Sequence, residues 1–155
     1  MSQGGLASNQ GGRLEDLVKA VLMKHGFKSL PYSEYIKNPE KYGKELLLTN
    51  KPYRSIYGHN GKTEFFLISK KYNLEILIEC KWQQSNGSVD EKLPYLYLNC
   101  IEALPEKQII IVIDGDGWKK GAIQWLRDAV IEQKYFKLPA NSKIINVFDL
   151  KEFMT

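Results

Sequence analysis

Residues 108–114 read Gln108-Ile-Ile-Ile-Val-Ile-Asp114, an unbroken row of β-branched apolar side chains between two polar ends. A strand with one wet face alternates apolar and polar residues; a row without alternation belongs to a strand covered on both faces. The chain must therefore supply helices for two layers, and it does. Trp118, Ala122, Trp125, Leu126, Ala129 and Val130 recur at helical spacing, with the polar Gln133 one turn beyond. Arg13 to His25 sets Leu14, Leu17, Val18, Val21 and Leu22 on one stripe, with Ser8 or Asn9 available as a cap and Gly26 as a left-handed stop. Leu93 to Leu104 reads as a crossover helix whose Pro94 fits the first turn.

The other strands lie earlier. Tyr53–Gly58, Thr63–Ile68 and Leu74–Trp82, joined through Gly58-His-Asn-Gly61 and Lys70-Lys-Tyr-Asn73, predict an antiparallel meander. Ile144–Val147 predicts a last short strand before a terminal turn. Lys28 to Pro52, rich in Tyr, Lys and Pro, reads as irregular around one short element at Glu45-Leu-Leu-Leu48. The expected fold is α/β, a mixed sheet of meander and parallel crossover strands flanked by helices.

At 155 residues and 43% apolar composition, one core is expected without disulfide help. The domain is placed at residues 12–155, behind a flexible Gly-rich arm at residues 1–11. No apolar run nears the roughly 20 residues that span a bilayer, and the polar first residues do not form a signal peptide. The expected address is cytoplasmic, without membrane attachment. Cys80 and Cys100 read as buried, reduced thiols, so the acceptor-like Asn86-Gly87-Ser88 carries no meaning. A net charge of +4 is a mild bias toward polyanions.

Chemistry concentrates where Leu74–Trp82 ends. Strand alternation puts Glu79 and Lys81 on one face and Leu74, Ile76, Ile78, Cys80 and Trp82 on the other. Burying either charge alone is unfavourable, so the pair is either a structural ion pair or a metal-holding acid beside a reacting group. Glu64 opens the preceding strand on the face of Phe66 and Ile68, and a turn near residues 70–73 sets it roughly opposite Glu79. Two carboxylates and a lysine suit phosphodiester hydrolysis. Magnesium takes one or two carboxylates and keeps several waters, activating one of them, while an ammonium offsets phosphate charge. On the first helix Glu15 lies at the edge of the apolar stripe and Asp16 on the solvated side, which makes Glu15 the candidate third acid. Arg13, Arg54, Lys62, Lys119 and Lys120 are candidate phosphate contacts. Trp82, Trp118 and Trp125 read as packing, Asp114 and Asp116 as a turn, and His25 and His59 as too few for a histidine-based metal site.

Thr63-Glu64-Phe-Phe-Leu67 followed by Ile78-Glu79-Cys80-Lys81 resembles the PD-(D/E)xK, restriction-endonuclease-like nuclease superfamily, whose signature is an acid, a variable gap, then acid-x-lysine. Further likeness lies in Gly12-Arg-Leu-Glu15, Ser55-Ile-Tyr-Gly58, Trp82-Gln-Gln84 through Ser88-Val-Asp-Glu-Lys92, and Asp114-Gly-Asp-Gly-Trp-Lys-Lys-Gly121. The resemblance implies a restriction-endonuclease-like sheet, Glu64, Glu79 and the Cys80 backbone carbonyl as metal ligands, and Lys81 as the catalytic lysine. It also implies Glu15 as the helix-one acid and Gln83 as the glutamine that follows the lysine. Glu64 stands where the family usually has aspartate, and the family's proline is absent. The implied activity is a Mg2+-dependent DNA endonuclease, with Mn2+ able to substitute, of restriction or phage and mobile-element type, with or without a companion methylase; cutting both strands of a duplex with one site per chain favours a homodimer. The alternatives are a junction resolvase of the same fold and a nucleic-acid-binding or assembly module without turnover.

Overall fold

The computed structural model of the chain describes residues 3–84, 90–137 and 143–155, with side chains from residue 12 onward. In chain order the elements are helix α1 (Gln3–Lys24), strand β1 (Lys28–Pro31), helix α2 (Tyr32–Tyr35), a 3-10 turn (Pro39–Tyr42), β2 (Glu45–Thr49), β3 (Pro52–Arg54), β4 (Asn60–Lys62), β5 (Phe65–Ser69) and β6 (Leu74–Trp82). There follow α3 (Lys92–Leu98) with a π-helical turn (Asn99–Ala103), β7 (Gln108–Asp114), α4 (Lys120–Glu132), β8 (Ile144–Phe148) and α5 (Leu150–Met154). Six strands form one mixed sheet in the order β1-β2-β5-β6-β7-β8, and β3 and β4 form a separate small ribbon. β5 runs antiparallel to both neighbours, while β1 with β2, β6 with β7 and β7 with β8 are parallel.

The unbroken apolar strand is the reason for two layers. Ile109, Ile111 and Ile113 of β7 pack with Leu46, Leu48, Phe66 and Leu77 under α3 and α4, burying Tyr97, Leu126 and Ala129. Val112 faces the other way, into a cluster with Leu47, Phe65, Leu67, Ile78 and Cys80 under Leu14 and Val18 of α1. Both thiols are buried and free. Burial pushes the Cys80 and Cys100 thiols upward in pKa. Among the described residues no helix is long and apolar enough to cross a membrane.

Three expectations are corrected. The meander's outer strand is β2, because Leu46, Leu47 and Leu48 can be buried on both faces. The segment from Tyr53 to Gly58 cannot take that place: Pro52, Arg54 and Gly58 are exposed, and the chain closes instead into the β3–β4 ribbon, with the Tyr53 ring crossing Gly61. The region from Lys28 to Pro52 is ordered, since Lys28–Pro31 pairs in parallel with Leu46–Thr49. Third, α1 reaches back to Gln3, so Ser8 and Asn9 stand within it and do not cap it, and Leu17 is 38% exposed, leaving Leu14 and Val18 as the buried pair of the stripe. Gly26 does stop the helix, at φ +97°. The terminal turn is a helix, α5, closed by a capping box in which Asp149 accepts from the Glu152 amide. Asn86-Gly87-Ser88 lies outside the described residues.

Candidate active site

β6 carries the centre of the site. Its alternation sends Leu77 to the α3 side and Ile78 and Cys80 to the α1 side, so Glu79 and Lys81 follow Leu77. There they line a cavity of about 290 Å³ with Tyr53, Lys92, Tyr95, Leu96, Asn99 and Leu104. Glu79 is 7% exposed and Lys81 half-buried. The β5–β6 register pairs Phe65 with Ile78, so the next step brings Glu64 across from Glu79. The Glu64 amide donates to Glu79 Oε1 at 3.3 Å.

Glu64 stands one residue before β5. Thr63 interrupts the alternation there, its amide and hydroxyl both donating to the Lys51 carbonyl, at 2.9 and 3.1 Å. The Glu64 carboxyl is consequently within hydrogen-bonding reach of Glu15 on α1, while Glu79 and Lys81 both act on it electrostatically. Burial first, then the hydrogen bond and charge of Glu15 and the charge of Glu79, push Glu64 well above the usual carboxylate range, with Lys81 opposing. Burial likewise pushes Glu79 up to about 7, again against Lys81. Glu15 is half-buried and Asp16 exposed. Three acids and one lysine thus meet at one end of the β5–β6 hairpin, with less positive charge than the acids require.

A family model described as a PD-(D/E)XK nuclease superfamily domain matches residues 6–155. The chain belongs to the PD-(D/E)XK nuclease superfamily. Its six-stranded mixed sheet flanked by helices is the restriction-endonuclease-like α/β fold, and membership makes it, in general terms, a nuclease of a superfamily that typically uses divalent metals. Searches of curated proteins and of solved structures give no match.

The remaining expected residues of this nuclease domain lie around that centre at different removes. Gln83 follows β6 and meets the β7 end through its main chain. Its amide donates to the Asp114 carbonyl at 3.2 Å and its carbonyl accepts from Gly117 at 2.8 Å. A Cβ on Gly115, where φ is +101°, would come 2.2 Å from that carbonyl, so the turn requires glycine. Arg13 and Lys62 are exposed, two residues from Glu15 and Glu64 respectively. Arg54 is exposed and donates to the Gly58 carbonyl at 2.9 Å. Lys119 and Lys120 are exposed at the start of α4, where the Lys119 amide donates to Asp90 Oδ1 at 3.2 Å. Lys120 borders a different cavity of about 510 Å³, with Asp114, Asp116 and Asp149. Lys119 and Lys120 thus belong to the β7–β8 end of the sheet. The tryptophans pack: Trp118 and Trp125 against the α3–α4 core, Trp82 against the α1 core.

Tyr53, Lys92, Tyr95 and Asn99 complete the cavity, and reading the sequence did not single them out. The Tyr95 hydroxyl is hydrogen-bonded with the Ser55 and Asn99 side chains, which hold its phenol below the usual value. The likenesses at Ser55-Ile-Tyr-Gly58 and at Ser88-Val-Asp-Glu-Lys92 are the available signals, and the first is the more telling. It marks a loop whose partners lie some forty residues away.

Proposed function

We propose that the chain is a Mg2+-dependent DNA endonuclease, of restriction or mobile-element type, that hydrolyses phosphodiester bonds at the Glu64, Glu79, Lys81 centre. The observation that carries this reading is the convergence of the half-buried Glu64 carboxyl with the buried Glu79, which lines a cavity together with Lys81. Such a donor set fits a divalent cation, whose charge would offset the repulsion and burial that push both acids upward. Among the described residues no group of three or more His, Cys, Asp or Glu forms an all-protein cage. The carboxylate oxygens of Glu64 and Glu79 suit magnesium, which takes one or two carboxylates and keeps several waters, with manganese accepting the same oxygens.

Glu64, Glu79 and the Cys80 carbonyl would hold the ion, which when bound supplies a polarised water and a positive charge beside the phosphate. Lys81, on the same face as Glu79, presents its ammonium to the cavity, where it can orient a water or a phosphate oxygen. Glu15, within hydrogen-bonding reach of Glu64, would set the direction of that carboxyl. Gln83 braces the β7 turn beside the lysine, and Arg13, Arg54 and Lys62 offer phosphate contacts on either side. Because one chain holds one such centre, a homodimer would cut both strands of a duplex.

A second reading, a nucleic-acid-binding module without turnover, draws support from the Glu64–Glu15 hydrogen bond, which engages the carboxyl that a metal needs. Supercoiled plasmid separates the two. Nicking with Mg2+, abolished by chelator and by Lys81→Ala, supports the enzyme; binding without nicking by the unaltered protein overturns it.

A further inference from the structure

Beside the cavity, the residues between β3 and β4 form a loop that is fully braced and yet presents an aromatic ring to solvent. The Ser55 amide donates to the His59 carbonyl at 2.9 Å and the Gly58 amide to the Ser55 carbonyl at 2.8 Å. Ser55 Oγ accepts from the Tyr57 and His59 amides at 3.3 and 3.1 Å. Arg54 ties the loop through Gly58, which sits at φ +74°, and the Ile56 amide donates to Asn99 Oδ1 at 2.9 Å. Ser55 is buried. A loop held this way has its side-chain directions decided in advance.

What it presents is Tyr57, 68% exposed, stacked on Tyr95 with ring centroids 5.1 Å apart and planes 22° from parallel. Tyr95 in turn lines the cavity that holds Glu79 and Lys81. The His59 ring lies 6.1 Å from that of Tyr57, tilted by 59°. Exposed rings usually reduce their wetted area by folding against the nearest apolar surface. This one is held outward by backbone bonds on both sides of it, in a loop tied by Arg54 and stacked on Tyr95, which shares its cavity with Lys81 and Lys92. Flat aromatic surface beside positive charge is the recognition chemistry of an unstacked nucleobase on a phosphate chain. A base inside an intact duplex has both faces covered by its neighbours and cannot use it.

We propose that Tyr57, backed by Tyr95, is a stacking platform for an unpaired nucleotide adjoining the phosphate to be cut, so that the substrate is DNA with a single-stranded stretch at the cleavage point. This rests on the nuclease reading, and its test is built on binding so that the two can fail separately. In the Lys81→Ala background with Mg2+, titrate a fluorescently labelled gapped duplex and a blunt duplex of the same sequence. Repeat with Tyr57→Ala and Tyr57→Phe added, and check by circular dichroism and melting that each variant folds. The gapped DNA should bind more tightly than the blunt one. Tyr57→Ala should weaken the gapped complex at least about tenfold, a typical loss for one stacked base, and leave the blunt complex unchanged, while Tyr57→Phe retains the preference. Equal binding of gapped DNA by the alanine variant, or equal loss on both substrates, overturns the platform. If the unaltered protein with Mg2+ cleaves neither plasmid nor the gapped duplex while the alanine effect persists, the catalytic reading fails and the platform stands.

Discussion

Among the described residues two acids are buried, Glu79 at 7% and Glu106 at 8% exposure, and they are neutralised in opposite ways. Glu106 has a partner of its own: Lys51 reaches it in a partly buried ion pair, with the lysine amine also 4.0 Å from the Phe66 ring centroid. Its second oxygen, Oε2, is buried without a hydrogen-bond partner. Glu79 has a backbone amide, a lysine that shares the cavity wall, and other acids nearby; burial pushes it up to about 7. A buried acid that the fold serves is given its counter-charge by the fold. One kept short of positive charge at a cavity wall is suited to a cation from outside.

Four measurements sharpen or break that contrast. The largest effect is on catalysis: Lys81→Ala should lower plasmid cleavage by at least about 100-fold with an unchanged circular dichroism spectrum, and retained cleavage would remove Lys81 from the chemistry. Next, Lys51→Met should destabilise the protein by about 3 kcal/mol in urea unfolding, because it leaves Glu106 buried and unpaired; adding Glu106→Leu should restore most of the loss. Glu79→Gln should do the reverse. In metal-free buffer at pH 8 it should stabilise by about 2 kcal/mol, since it replaces a buried carboxylate by a neutral group of the same shape, and it should abolish cleavage. If it destabilises as Lys51→Met does, Glu79 is structural and the contrast is lost.

The smallest effect is a pH trend. Glu79 is raised in the folded state from the ordinary 4.5 to about 7, so the metal-free native protein keeps a proton that the unfolded chain has released. Its contribution to stability is complete below about pH 4.5 and is lost as pH rises through about 7. Glu64, raised for the same reasons, extends the decline upward. Melting scans should show the metal-free Tm falling by several degrees across this window, with Mg2+ restoring more at pH 8 than at pH 5. A metal-free Tm that rises across the window would contradict both assignments.

Much of this was legible before any coordinates. The row from Ile109 to Ile113, the alternation from Leu74 to Trp82 and the apolar positions at Leu126 and Ala129 announce their elements because burial repeats with the local geometry of strand or helix. The same periodicity put Glu79 beside Lys81, and equal distance from the Lys70–Asn73 turn brought Glu64 opposite them. Three consecutive leucines in β2 are a weaker sign, too short to separate a strand from a piece of helix, and only pairing with β5 shows them to be the meander's outer strand.

By itself, then, the order of residues determined the layers, the central strands and the adjacency of acid and lysine, since each follows from spacings within a few residues. Only the tertiary structure decided which strand lies beside β5, that the Glu64 carboxyl reaches Glu15 on a helix, and that Tyr57 rests on Tyr95 through a loop tied to Asn99. Those contacts join residues from about twenty to about fifty positions apart. Local periodicity carries no record of such partners, because they are chosen by how two finished surfaces pack.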